Sequence, residues 1–286
     1  MRQKCFHIRL CTYDMGRNDM THCGADSAID DIAYLTRSEH RLPTLVALAD
    51  RPRSRPELCE LTEMSSATIG RTLDEFKTRR WVQKAGHNLQ ATFLGERIAS
   101  WTEELLRRVE TEHKLRDIYH QLPREVIEFA LEMRSTVTVN EADAPYRALN
   151  RYRSLLHEST QYRFVGFDAG LYEACKDEFQ QRILNGLEAE LIDSPSVARY
   201  MCTTYPERCA ELLEHENMTA YVQEDVPPYG VCLFDSRIAI CVYHSDSAGV
   251  MAVIDTDAPE ARSWAESVYA SYKADARLVE PQSIIA

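Results

Sequence analysis

The stretch that decides the fold of the N-terminal half is residues 54–92, SRPELCELTEMSSATIGRTLDEFKTRRWVQKAGHNLQAT. Ser54 and Glu57 form a capping box, which predicts the start of a short helix. Ser65 is placed to cap a second helix after a tight turn. The buried face of that second helix is predicted from an i, i+4, i+7 apolar stripe: Ile69, Leu73 and Phe76.

Two β-like runs, Trp81–Ala85 and Leu89–Thr92, follow the second helix, and residues 86–88 turn between them. Gly86 and Asn88 suit a hairpin turn because they tolerate positive φ. A short helix, a tight turn, a second helix and a hairpin make a winged helix-turn-helix, whose second helix enters a DNA major groove. The sequence therefore predicts a DNA-reading head with residues 65–80 as the recognition helix.

Polar side chains on this helix and on the hairpin are the candidate DNA contacts. Arg71 is the strongest single candidate, because an arginine fork matches O6 and N7 of guanine; contact with phosphate or solvent alone is an equally weighted alternative. Arg53 and Arg55, ahead of the first helix, are further phosphate candidates. The predicted DNA-binding residues are Ser66, Thr68, Arg71 and Thr72 on the helix, with Arg79, Arg80, Lys84, His87 and Asn88 beside the backbone or minor groove.

Charge is distributed unevenly along the chain. The net charge is −12, yet residues 36–120 hold 15 Lys and Arg against 13 Asp and Glu, whereas residues 121–286 hold 14 against 27. The acidic excess therefore lies away from the predicted reading head, as attraction to phosphate requires.

The fold class expected from the whole pattern is mixed. An N-terminal α+β winged helix-turn-helix (29–92) leads into a long amphipathic helix (93–122), and a C-terminal α/β layered sheet domain (123–286) follows. The long helix carries more apolar surface than one small domain covers, which favours dimerisation over a packed linker. Residues 1–28 are expected to be a disordered extension, in which Met20 is a second candidate start.

No catalytic set emerges from the C-terminal domain, which lacks a P-loop, a Gly-x-Ser-x-Gly motif and a phospholipase D-type His-x-Lys pair. We therefore expect no catalytic residue and no cofactor. In open α/β sheets, ligands bind beyond the carboxyl ends of the strands. The candidate ligand-binding residues on this ground are Asp168, Arg163, Arg199 and Tyr229, with the pair Asp193-Ser194 at the same mouth.

Hydropathy and cysteine spacing predict the cellular location of the protein and the state of its cysteines. No run of about 18 apolar residues predicts a membrane span, and the N-terminus lacks the apolar stretch of a signal peptide, so a cytoplasmic protein without a membrane partner is expected. Nine cysteines occur without a Cys-x-x-Cys pair, so most are expected to be free thiols. No metal is expected, because the spacing of one conceivable zinc set fits no usual pattern: Cys5, His7, Cys11 and Cys23.

Two stretches of the C-terminal domain carry a family resemblance: residues 228–240, PYGVCLFDSRIAI, and residues 250–272, VMAVIDTDAPEARSWAESVYASY. With the order winged helix, long helix and acidic α/β domain, the chain resembles archaeal, more narrowly haloarchaeal, winged-helix transcriptional regulators whose C-terminal part is the domain named for a methanogenesis (filament) regulator. The resemblance covers about residues 36–276. It implies a homodimer and a sensor domain that responds to a small-molecule effector or another signal.

The function expected from these observations is sequence-specific, double-stranded DNA binding by a transcriptional regulator. An α/β enzyme with an accessory winged helix is one alternative, which a cluster of His, Cys and carboxylates in one cleft would favour. A protein-binding module is another, which a flat acidic face on helix 65–80 would favour. Arg71, Lys77 and the pair Arg79-Arg80 speak against that last alternative.

Overall fold

The computed structural model describes residues 24–166, 169–244 and 249–279. The chain divides into two compact units, Met1–Glu104 and Leu105–Ala286. The second start, the zinc set and the expected disorder of residues 1–23 lie outside the described residues, whereas residues 24–28, also expected to be disordered, belong to a helix.

The first unit follows the predicted order of helices and a hairpin. Its first helix begins at Gly24, five residues earlier than the sequence pattern indicated. The elements are α1 (Gly24–Thr36), α2 (Arg41–Asp50), α3 (Arg55–Thr62), α4 (Ser66–Thr78), β1 (Val82–Ala85), β2 (Asn88–Ala91) and α5 (Phe93–Leu115), the last of which continues into the second unit.

Helix α3 begins with the capping box. The Ser54 hydroxyl accepts from the Glu57 N–H at 3.4 Å, and the Glu57 carboxylate accepts from the Ser54 N–H at 2.7 Å. These Ser54 bonds, with Arg51 beside them, lower the pKa of the Glu57 carboxyl to about 2. At the other end, Glu63 adopts φ 57 and turns the chain toward α4.

Helix α2 begins without a side-chain cap. Its N-cap residue is His40, whose side chain makes no capping bond. The Ser38 hydroxyl lies 2.8 Å from His40 Nδ1 and holds that ring in place.

The hairpin closes the winged helix-turn-helix. β1 and β2 pair antiparallel with Ala85 opposite Asn88, so the turn is Gly86-His87, and Gly86 has φ +64°. Arg53 adds a backbone bridge to Leu89 on the outer side of the hairpin. The core of the unit joins the helices to this hairpin through buried side chains: Leu35, Leu45, Leu48, Leu58, Ile69, Leu73, Phe76, Trp81 and Val82.

Helix α5 ends at Leu115, short of the predicted residue 122, and a 3-10 turn at Tyr119–Gln121 follows. Several of its large apolar side chains are exposed: Phe93, Leu94, Trp101, Leu105, Leu106 and Val109.

The second unit contains an eight-stranded sheet within the described residues, in the order β10-β6-β5-β4-β7-β8-β9-β3. β4, β5 and β6 are parallel, and the other pairings are antiparallel. Its elements are α6 (Arg124–Glu132), β3 (Thr136–Val139), α7 (Arg147–His157), β4 (Gln161–Gly166), α8 (Ala169–Leu184), β5 (Glu188–Asp193), α9 (Pro195–Thr204), α10 (Pro206–Glu214), β6 (Met218–Val222), β7 (Gly230–Phe234), β8 (Ile238–Tyr243), β9 (Val250–Thr256), α11 (Pro259–Ala274) and β10 (Arg277–Leu278).

Helices cover both faces of the sheet, so the strands are buried on both sides. Alternate residues of β7 show this: Cys232 and Phe234 pack with α7 and α8, whereas Val231 and Leu233 pack with α6 and α11. The expected mixed fold, with an α/β layered C-terminal domain, is confirmed. The short edge strand β10 was not predicted.

Candidate nucleic-acid interface

Helix α4 turns one side into the core of the first unit. Ile69, Leu73 and Phe76 have no exposed surface. At the start of the helix, the Ser65 hydroxyl accepts from the Thr68 N–H at 3.2 Å. The Thr68 hydroxyl lies 3.0 Å from that of Ser65, so it belongs to the cap network.

The opposite side of α4 carries exposed polar groups at its N-terminal half. Ser66 and Arg71 are exposed. The Arg71 Nε lies 3.5 Å from the Ala67 carbonyl, and among the described residues no carboxylate pairs with its guanidinium. The side chain has the position and the charge that the sequence predicted.

Thr72 is not on this exposed side, which corrects the sequence prediction. It is 3% exposed, and its hydroxyl lies 3.1 Å from His40 Nε2. Burial, with Arg41 nearby, lowers the pKa of His40, so that ring stays neutral near pH 7. Thr72 is therefore part of an internal hydrogen-bond chain from Ser38 to α4, and its hydroxyl is not available to contact DNA.

Arg79 is also corrected. Its Nε lies 2.9 Å from the Asp31 carboxylate, a second nitrogen pairs with Glu75, and its guanidinium stacks 4.2 Å above the Tyr34 ring. These contacts fasten α4 to α1 and neutralise the cation. Arg53 is structural in the same way, since it donates to the Ala47 carbonyl at 2.8 Å and to Asp50 at 2.9 Å.

The remaining basic candidates lie on the surface. The Arg80 side chain is exposed. Its backbone has a φ of 58°, and its carbonyl accepts from the Thr92 hydroxyl at 2.7 Å. Lys84 and His87 are exposed on the hairpin, and Asn88 is half-buried at its turn.

Arg55 contacts the recognition helix directly. Its guanidinium lies 3.6 Å from the position a Cβ would take on Gly70. Arg55 of α3 therefore places a positive charge against α4 at Gly70, the residue that precedes Arg71. Sequence reasoning had ranked it only as a possible phosphate contact.

The candidate ligand residues of the C-terminal domain do not meet in one cavity. Asp168 lies outside the described residues. Arg163 faces α11, with a nitrogen 3.6 Å from Glu266, while Arg199 is exposed on α9. Tyr229 is half-buried on the α6 and α11 side, and burial raises the pKa of its hydroxyl.

A cavity of about 90 Å³ lies elsewhere, between β5, β6 and the helices α8, α9 and α10. None of the three described candidates lines it, but Asp193 does. Burial raises the pKa of the Asp193 carboxyl to about 7, despite a 3.1 Å hydrogen bond from the Tyr172 hydroxyl. Its neighbour Ser194 is used as the cap of α9.

A buried carboxylate in the second distinctive stretch was missed by sequence reasoning. Asp255 has no exposed surface and accepts from Arg151 at 2.8 and 2.6 Å and from Arg237 at 2.7 Å. The only signal was an aspartate ending an otherwise apolar strand. Its two arginine partners explain why it lies in the core, because buried charges need such pairing.

A disulfide joins Cys202 on α9 to Cys209 on α10. Among the described residues, no three His, Cys, Asp or Glu side chains are grouped to hold a metal. No helix in the described ranges has both the length and the apolar character needed to cross a membrane.

Two family models match the chain. Residues 145–275 match the middle domain of methanogenesis regulatory protein FilR1, and residues 29–114 match the HVO_A0261 N-terminal domain. No curated protein matches.

Solved structures with some similarity include TrmBL2, an archaeal chromatin protein (10% identity, TM-score 0.41, 87% of this chain and 99% of that chain). NucT from Helicobacter pylori has 12% identity and a TM-score of 0.41 over 51% of this chain and 99% of that chain. An O-methyltransferase family protein from Burkholderia thailandensis has 16% identity and a TM-score of 0.25 over 71% and 62%. At these TM-scores the likeness carries no functional argument.

The two family-model matches confirm the predicted resemblance to archaeal transcriptional regulators with a methanogenesis-regulator-like C-terminal domain.

Proposed function

We propose that this regulator is a cytoplasmic, non-enzymatic homodimer that binds specific double-stranded DNA, with α4 in the major groove and the β1–β2 hairpin on the backbone. The observation that carries the proposal is the exposed start of α4, where Arg71 projects without a carboxylate partner among the described residues. An unpaired guanidinium at this position of a winged helix suits guanine or phosphate.

The contacts divide by role. Ser66 and Arg71 are the base-reading candidates, with Thr68 limited by its place in the cap network. A second group is expected to contact phosphate and sugar, which orients the protein on the DNA but does not read its sequence. This group consists of Arg55, Arg80, Lys84, His87 and Asn88.

Dimerisation is proposed to use α5. Trp101, Leu105 and Val109 follow one another at four-residue spacing and are 58%, 48% and 40% exposed. Side chains four apart lie on one face of a helix. Pairing with a second copy would remove that apolar strip from water, at about 25 cal/mol for each Å² buried.

The C-terminal α/β domain is proposed to modulate DNA binding in response to an effector. A dimer binds two half-sites only if the spacing of its reading heads fits the DNA. A ligand that favours one conformation of the C-terminal domain would change DNA affinity by its differential affinity for the two states.

The test is DNA binding by the purified full-length protein, measured by fluorescence anisotropy on the DNA upstream of its own gene across a salt series. Arg71→Ala is expected to lose about 1–3 kcal/mol of discrimination if it reads a base. Arg134→Ala, which removes the same charge from an exposed site in the C-terminal unit, should bind as the wild type does. Circular dichroism establishes that both variants are folded.

A second variant separates base reading from phosphate contact. Lys84→Ala should weaken binding to all sequences alike and reduce the salt slope by about 1. If neither Arg71→Ala nor Lys84→Ala changes affinity for any DNA, α4 and the hairpin do not form the interface.

A further inference from the structure

The cavity of the C-terminal unit has an apolar body. Along β5, Leu191 and Asp193 face the same side of the sheet because side chains alternate along a strand, and both line the cavity. Its apolar wall comes from the sheet and from the helices above it: Phe179, Leu191, Ala198, Met201, Leu212 and Met218.

A buried carboxylate, that of Asp193, also lines this cavity. Asp193 is 8% exposed, and its Oδ2 accepts from the Tyr172 hydroxyl at 3.1 Å. The other carboxylate oxygen, Oδ1, is buried and has no hydrogen-bond partner within the described residues. A buried polar atom left unpaired costs free energy, so such an atom calls for an explanation.

A second polar group also lines the cavity. Arg208 pairs with Asp177 at 2.6 Å, while its Nη1 is buried and has no hydrogen-bond partner in the part of the chain that the structure describes. The arginine can therefore donate a hydrogen bond to an oxygen of a guest without giving up its ion pair. Lys176, also in the lining, is already occupied by Glu173 at 3.3 Å.

We propose that this cavity binds a small, largely apolar molecule with one hydrogen-bond-donor head, a hydroxyl or an amine, which donates to Asp193 Oδ1. The volume is of the same order as an engineered cavity of about 150 Å³ that holds benzene. A buried water would need two to four polar partners, whereas the wall around Asp193 is mostly apolar. A guest with an apolar body and a single donor satisfies both parts of the site.

Helices α9 and α10, called the roof of the cavity from here on, can respond to a bound guest. Glu173 of α8 accepts from the hydroxyls of Tyr200 and Tyr205, each at 2.7 Å, which ties α9 and the start of α10 to α8. The disulfide between α9 and α10 makes these two roof helices one piece. A guest that raises this roof would shift it as a unit; its use as an effector signal rests on the proposed function, whereas the binding itself does not.

The test uses the oxidised full-length protein without DNA. Binding of 2-phenylethanol, 2-phenylethylamine and toluene is measured by saturation-transfer NMR and by titration of the melting temperature. At pH 8, both donor-bearing probes should bind at least tenfold more tightly than toluene, because a hydrogen bond to a charged acceptor contributes that much. Asp193→Asn should remove most of this advantage.

A cavity-filling variant tests the location of the site independently of Asp193. Ala198→Phe places a ring in the cavity and should abolish binding of all three probes. Thr203→Phe adds the same ring at an exposed position of α9 that does not line the cavity, so it should bind as the wild type does.

The pH series distinguishes the two heads. An amine head is indicated if 2-phenylethylamine binds more tightly as pH rises from 6 to 8. Asp193 has a pKa of about 7, so its carboxyl ionises over this range and attracts the ammonium group. Three further titratable groups of the lining keep their protonation in that range, since the pKa values of Tyr172, Lys176 and Tyr205 are raised from alkaline ordinary values. Arg208 stays charged at any such pH.

A hydroxyl head is indicated if 2-phenylethanol binds more tightly than the amine at both pH values. The proposal is overturned if toluene equals the donor-bearing probes, if Ala198→Phe leaves binding unchanged, or if no probe binds at millimolar concentration. Because DNA is absent, none of these results bears on α4, and a failure of DNA binding would leave the cavity site intact.

Discussion

Replacing Asp193 by Asn should stabilise the protein at neutral and alkaline pH. The wild-type carboxyl is buried, and one oxygen is unpaired among the described residues. The amide of Asn has nearly the same shape, keeps an oxygen to accept from Tyr172, and carries no charge to desolvate. The expected gain is therefore the free energy that the wild type loses by ionising this group in place.

The magnitude follows from the pKa of Asp193, which burial raises from 3.8 to about 7. Between these values the unfolded chain releases the proton while the folded protein keeps it, so stability falls as pH rises. At about 1.36 kcal/mol for each tenfold difference in proton affinity, the wild type loses about 4 kcal/mol between pH 4 and pH 7. Above pH 7 the loss is constant.

Urea unfolding of both proteins at pH 4, 5.5, 7 and 8 measures this difference. The two free energies of unfolding should agree at pH 4 and diverge in favour of Asp193→Asn until pH 7. Glu188→Gln makes the same change at the exposed start of the same strand and should show no such divergence. A variant that is less stable than the wild type at pH 8, or a difference that does not depend on pH, would refute burial as the cause.

Three further changes test other parts of the structure. Asp255→Asn deprives Arg151 of its buried partner and should cost about 3–5 kcal/mol of unfolding free energy, measured by urea titration; an unchanged midpoint would contradict the ion pair. Ser54→Ala removes the cap of α3 and should cost about 1 kcal/mol in the same titration, and no loss would mean that the cap is dispensable. Leu105→Glu should convert the dimer to a monomer in sedimentation velocity, whereas Ile32→Glu, equally exposed at 48% on α1, should not; a wild type that sediments as a monomer would reject the α5 dimer.

Local patterns predicted most of the architecture. The capping box, the apolar stripe of α4 and the Gly86 turn each specify their own element through neighbours a few residues away. The same holds for the strands of the C-terminal domain, which are short apolar runs between clear turns.

Contacts between residues far apart in the sequence determine the side-chain positions that local patterns could not predict. Thr72 and Arg79 look like surface groups on a helical wheel, but their partners, His40 and Asp31, lie 32 and 48 positions away. Asp255 likewise depends on Arg151, 104 positions distant. A polar residue next to the apolar stripe can face water or an internal partner, and spacing along one element does not distinguish the two.

The two-residue strand β10 determines how the large sheet ends. It pairs with β6 only at Arg277 and Leu278, and both are exposed. A longer bare strand at this border would offer a row of backbone donors and acceptors to another chain, which is a route to fibrous aggregation. Here a brief strand with one charged residue pairs with part of β6, so less of the β6 backbone is free to join a second molecule.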